Sequence, residues 1–181
     1  MSLTSKSALP CVCFIEDDRV KRRILVDEHD AAWSSTFDIR FIICEQQFWD
    51  IFDRPTSGQC ASNNPRKEYP AGAILYSPEV DSFPAVFVVD MMLQWTSKYY
   101  DSGRIQPEDE TKNRVNRAGI RIGQHMHYLS NCRRFYWFYW TVIDCENIRA
   151  KLEPVDLCYK DSHSTQETLE KIGEIIRRSG G

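Results

Sequence analysis

The alternation of apolar and polar positions divides this chain into short strand-like runs separated by polar breaks. "CVCFIEDDRVKRRILV" predicts two strands, Cys11 to Glu16 and Arg22 to Val26, joined as a hairpin by a charged turn. "TFDIRFIIC" predicts a strand whose core face is Phe37, Ile39, Phe41 and Ile43. In "EQQFWDIF" the residues Phe48, Ile51 and Phe52 stand at helical spacing, and Pro55 stops the helix. From Asp53 to Pro70 three prolines, a glycine and two asparagines predict a long surface loop. "GAILYSPEVDSFPAVFVVDMML" then gives a strand from Ala73 to Ser77, a turn from Pro78 to Pro84 and a strand from Ala85 to Leu93. The Val-Phe-Val-Val run in the last of these is apolar on both faces, which marks it as central.

The next signal is a helix start. Pro107 suits a first helical position, Glu108, Asp109 and Glu110 oppose the positive end of the dipole, and Gly119 is placed to close the helix, so a helix spans Pro107 to Ala118. "IRIGQHMHYL" has a weak helical period, but Gly119 just before it and Gly123 within it cost roughly 1 kcal/mol each inside a helix, and the strand reading is preferred. With "SNC" as the turn, residues 120 to 143 then form an antiparallel hairpin. "NIRAKLEPVDLCY" reads as a further strand, irregular at Pro154. The chain ends in a helix, with Ser164 and Glu167 as a capping box and Leu169, Ile172, Ile175 and Ile176 as its apolar stripe. The expected fold class is α+β, a mainly antiparallel sheet with two to four helices packed against it. Residues 1–9 are expected as a flexible N-terminal tail and 10–181 as a single globular domain.

Composition narrows the class of protein. With 181 residues, 42% hydrophobic and 27% charged, the chain has enough apolar material to bury a core without staples. Neither a secretory leader nor an apolar stretch of the ~20 residues needed to span a bilayer is evident, so an intracellular protein, cytoplasmic or nuclear, is expected. Seven cysteines at scattered spacing argue for free thiols and against a disulfide framework. A net charge of −3 predicts no strong attraction of the whole molecule to nucleic acid or anionic membranes. Six cations, Lys112, Arg114, Arg117, Arg121, Arg133 and Arg134, nevertheless fall in a stretch from Thr111 to Ile143 that holds no acid.

Within that stretch, Phe135 to Trp140 is an unbroken run of six aromatic residues. As a strand it points Phe135, Trp137, Tyr139 and Thr141 one way and Tyr136, Phe138 and Trp140 the other. Either both faces are covered by helices, or one is open to a partner. In the second case Tyr136, Phe138 and Trp140 would lie with Arg117, Arg121, His125, His127, Arg133 and Arg134 on one binding surface. Such a surface suits a protein partner or self-association, single-stranded RNA or another phosphate ligand, or an anionic membrane surface. The leading expectation is a non-enzymatic interaction or assembly module, an accessory, regulatory or matrix-like protein of viral or host origin. Single-stranded RNA or phosphate-ligand binding is the first alternative.

Candidate chemistry is sparse. His125 and His127 would share a strand face, with Cys132 or Cys145 to complete a metal site, but paired close-spaced ligands are missing and no metal or cofactor is expected. Cys11 and Cys13 in "CVC" are the nearest such pair. Cys60, with His125 or His127 and Asp144 downstream, has the order of a small cysteine hydrolase, the second alternative, although a polar loop is a poor setting for a nucleophile. The acids Asp17 and Asp18, and Glu108 to Glu110, read as turn and helix-start residues. Phosphate-loop, dinucleotide and hydrolase motifs are all lacking.

Overall fold

A computed structural model describes residues 9–52, 72–95, 97, 118–141, 156–159 and 164–179. Five strands are present among them: β1 (Cys11–Ile15), β2 (Asp38–Ile42), β3 (Val86–Val89), β4 (Tyr136–Thr141) and β5 (Asp156–Tyr159). They form one sheet in the order β2-β1-β3-β4-β5. All four pairings are parallel. The expected antiparallel α+β arrangement is therefore corrected to an α/β fold. Parallel neighbours require crossovers rather than hairpins: α1 (Arg19–Ala32), α2 (Glu45–Phe52) and α3 (Ala118–Cys132) lie between successive strands, and α4 (Thr165–Ser179) follows β5.

The helices cover both faces of the sheet. On one face, Val12 and Phe14 of β1, Ile39 and Phe41 of β2, Val88 of β3 and Phe138 and Trp140 of β4 pack with Leu25 of α1 and Leu169 and Ile172 of α4. On the other, Cys13, Ile15, Ile42, Phe87, Val89 and Tyr139 pack with Phe48 of α2 and Ile122 and Met126 of α3. Strands buried on both sides lose the apolar/polar alternation of a half-exposed sheet and read as continuous apolar runs, as β1 and β3 do.

Two segments expected as strands are helices. The predicted hairpin from Cys11 to Val26 is β1 followed by α1. Asp18 is the N-cap, its carboxylate accepting from the N–H groups of Val20 at 2.7 Å and Lys21 at 3.3 Å. The buried side of α1 is Arg22, Leu25 and His29, so two of its three positions are polar and the apolar period is hidden. The predicted strand Ile120 to Leu129 lies within α3. Its glycines mark contact points: a Cβ on Gly119 would lie 2.2 Å from the Cα of Met91, and one on Gly123 would lie 1.7 Å from the Tyr139 hydroxyl. A side chain at either position would force α3 off the sheet.

Other expectations hold where residues are described. The helix "EQQFWDIF" is α2, "VFVV" is the central β3, and Ser164 and Glu167 exchange the two capping-box hydrogen bonds at 2.6 and 3.2 Å. The predicted loop from Asp53 to Pro70 and the predicted helix up to Arg117 lie outside the described residues, as does the N-terminal tail up to Ala8.

Candidate functional site

In an open parallel sheet the place to look for chemistry is beyond the C-terminal ends of the strands, where the strand order reverses. Here that point lies between β1, which continues to β2 on one side, and β3, its neighbour on the other. Three acids stand there. Glu16 and Asp17 follow β1 directly, and Asp90 follows β3. Carboxylate oxygens of the three lie within 4.8 Å of one another.

Local structure fixes each of them. The strand-like pairing runs one residue past β1 and β3, with the Asp90 N–H donating to Ile15 O and the Glu16 N–H to Ile42 O, both at 2.9 Å. Glu16 is 1% exposed, and its Oε1 accepts the Asp18 N–H at 2.9 Å, which turns the chain into α1. Arg22, itself buried on α1, donates from Nη1 to the Glu16 carbonyl. Asp90, 5% exposed, accepts the Met92 N–H on Oδ1 at 3.0 Å, and Asp17 accepts the Gln94 N–H on Oδ2 at 3.0 Å. Thr141 ends β4, two residues past the Tyr139 that pairs with Val89, and is buried on the same edge.

Three carboxylates this close repel one another, and a hard divalent cation with oxygen preference is the ligand such a donor set fits. These acids sit behind apolar runs, in "CVCFIED" and "VFVVD". Asking which polar residues end two central strands would have found them. Reading Asp17 as a turn residue missed its position on the sheet edge.

The sequence-predicted surface is dispersed. Phe138 and Trp140 are each 1% exposed and belong to the core under α4. Tyr136, at the start of β4, is 52% exposed. Arg121 on α3 is paired with the buried Glu45 of α2. His125 is half-buried among rings, 5.9 Å from Phe48 and 5.2 Å from Trp49, while His127 is exposed. On a helix, positions two apart face different ways, so the two imidazoles do not converge as they would on a strand. Arg133 lies over the Phe83 ring at 4.7 Å and Arg134 is exposed. Arg117 and Cys60 lie outside the described residues. Cys11, Cys13 and Cys44 are buried free thiols and Cys132 is an exposed one. Burial pushes the Cys11 thiol up to about 12 and the Cys44 thiol up to about 11. Among the described residues no helix is long and apolar enough to cross a membrane.

Comparison with known structures gives the same fold class. The bacteriophytochrome response regulator AtBRR superposes with a TM-score of 0.54 at 11% identity, over 93% of this chain and 94% of that one. A DNA-binding response regulator of the LuxR family from Staphylococcus aureus gives 0.54 at 12% identity, over 93% of this chain and 99% of that one. The N-terminal domain of a response regulator/sensory box/GGDEF 3-domain protein from Carboxydothermus hydrogenoformans gives 0.51 at 8% identity, over 94% and 96%. No family model and no curated protein matches the chain. At such identities the likeness is one of fold: an α/β fold like that of response-regulator receiver domains. It gives no support to RNA binding or to a viral accessory role.

Proposed function

We propose that this chain is a protein-interaction signalling module that carries its signal as a phosphoryl group on Asp90, with a divalent cation of the Mg²⁺ class held by Glu16, Asp17 and Asp90. The observation that carries the reading is the meeting of the three carboxylates within 4.8 Å at the switch point of the sheet. The response-regulator structures of like fold supply the signalling context.

The chain's own groups have separate tasks in this reading. Asp90 is the acceptor because the Met92 N–H holds its Oδ1, which orients the carboxylate at the end of the central strand. A carboxylate oxygen attacks the phosphorus of the donor, the new bond is an acyl phosphate, and the bond to the leaving group breaks with its electrons going to that group. Glu16 and Asp17 flank the acceptor and would hold the cation beside it. When bound, the cation neutralises the crowded carboxylates and the incoming phosphoryl oxygens. The modified edge is then read by a protein partner or by a second copy of the chain.

The test is incubation with acetyl phosphate and Mg²⁺, followed by intact mass and peptide mapping. One phosphoryl group on Asp90, lost in Asp90→Asn and in the presence of chelator, is the expected result. An unmodified protein that also fails to bind Mg²⁺ at millimolar concentration would remove the proposal.

A further inference from the structure

The segment that follows Asp90 is tied at four points, and the ties join three elements. Its Met92 and Gln94 N–H groups donate to Asp90 Oδ1 and Asp17 Oδ2, each at 3.0 Å. In the opposite direction the carbonyls of Gln94 and Trp95 accept from the N–H groups of Glu45 and Gln46, each at 2.9 Å. Those two N–H groups open α2, where a helix has no acceptors of its own, so the segment does the work of an N-cap. Glu45 then leads onward through its side chain to Arg121 of α3 and to the Trp49 indole. Packing along the segment alternates: Met91 and Leu93 are buried pegs, whereas Met92 is 41% exposed and Gln94 is exposed. The pegs fix the segment's path, while the hydrogen bond to Asp17 is exposed and that to Asp90 half-buried.

We propose that Met91–Trp95 is a strap through which the state of the Asp17 and Asp90 carboxylates sets the docking of the start of α2 and, with it, the Glu45–Arg121 pair. The carboxylates that hold the strap, Asp17 and Asp90, are two of the three in the candidate cation site. Engagement of these carboxylates by another partner draws charge from them and turns them, which weakens their hold on the Met92 and Gln94 N–H groups. Because Gln94 carries both a site-facing donor and a helix-facing acceptor, a shift at one side moves the other. The natural trigger rests on the cation and phosphoacceptor reading; the strap geometry does not.

Amide hydrogen exchange of the full chain, with the Trp49 indole N–H resonance as a second readout, separates the two. Asp17→Ala is expected to raise exchange at Glu45 and Gln46 by about tenfold, close to one hydrogen bond's protection, and to shift the Trp49 signal. Gln94→Pro, which removes the donor with both carboxylates intact, is expected to do the same. Mg²⁺ added to the unmodified chain should reproduce the pattern. Glu45, Gln46 and Trp49 unchanged in both variants, or unchanged while Mg²⁺ binds, would overturn the strap. Loosening in the variants with no Mg²⁺ binding upholds the strap and sinks the cation reading instead.

Discussion

Arg121 of α3 grips Glu45, the first residue of α2, at two points, with Nε at 2.7 Å from Oε1 and Nη2 against Oε2. The Glu45 side chain is wholly buried, and the Trp49 indole adds a third donor at 2.8 Å. Removing the cation would strand a buried carboxylate, which costs far more than the pair contributes over an apolar substitute. Arg121→Ala is therefore expected to lower stability by about 3 kcal/mol in urea unfolding. Arg121→Ala combined with Glu45→Leu should recover most of that loss. Equal stability of Arg121→Ala and the unmodified chain would mean that the pair is solvated.

Gly123 of α3 packs directly against Tyr139 of β4 on that face. A methyl at Gly123 would meet the Tyr139 ring at 2.5 Å from Cζ, and Tyr139 is fully buried, so the ring has nowhere to go. Helix propensity alone favours alanine by about 1 kcal/mol. Overpacking of this kind costs about 1–3 kcal/mol and should win. Gly123→Ala is expected to destabilise by about 2 kcal/mol, and Tyr139→Leu in the same chain should return part of it. Thermal unfolding of the parent, the two single variants and the double variant gives the answer, and a more stable Gly123→Ala would show that the contact relaxes.

These two contacts explain what was legible in the sequence. The central run at β3, the helix α2 and the cap of α4 each rest on local chemistry, which a single sequence displays. Parallel topology does not, because it is decided by which distant strands pair. Gly119 and Gly123 looked like helix breakers only because their partners, Met91 and Tyr139, were out of sight. Arg40 alternates with apolar residues as a solvent-facing position would, yet it is buried against Asp81, which stands 41 positions away, at 2.8 Å. The aromatic run was read with its alternative of a strand covered on both sides, and Phe138, Tyr139 and Trp140 take that form. The acidic site was hidden for the same reason as the topology: Glu16 and Asp90 meet only once β1 and β3 lie side by side.

A cation bound to the folded chain must also stabilise it. At a Mg²⁺ concentration 100 times the dissociation constant the linkage is worth about 2.7 kcal/mol, which is a rise of roughly 5–10 °C in Tm for a chain of this size. Asp90→Asn and Asp17→Ala should each abolish most of the rise, whereas His127→Ala, on the exposed side of α3, should keep it. A rise of equal size in all four proteins would assign the effect to ions bound elsewhere.

Alkaline pH should weaken the fold through its buried thiols. Cys11, raised to about 12 by burial with partial relief from the Arg40 charge, and Cys44, raised to about 11 by burial with relief from the N–H groups of Gln47 and Gln46, both depart upward from 9.0. The unfolded chain therefore releases these protons first. The stability each thiol lends is complete below pH 9 and is lost as pH climbs through the folded values. At pH 11 the loss is about 2 kcal/mol per thiol. Tyr76, also raised by burial, acts in the same direction, so the informative quantity is a difference between proteins. Urea unfolding at pH 8 and pH 11 should show Cys44→Ala losing about 2 kcal/mol less than the parent over that interval. In the native state at pH 8, a disulfide reagent should modify Cys132 while Cys11, Cys13 and Cys44 stay protected until denaturant is added. Rapid native labelling of Cys13, which has no exposed surface, would contradict the packing of β1 beneath α2 and α3.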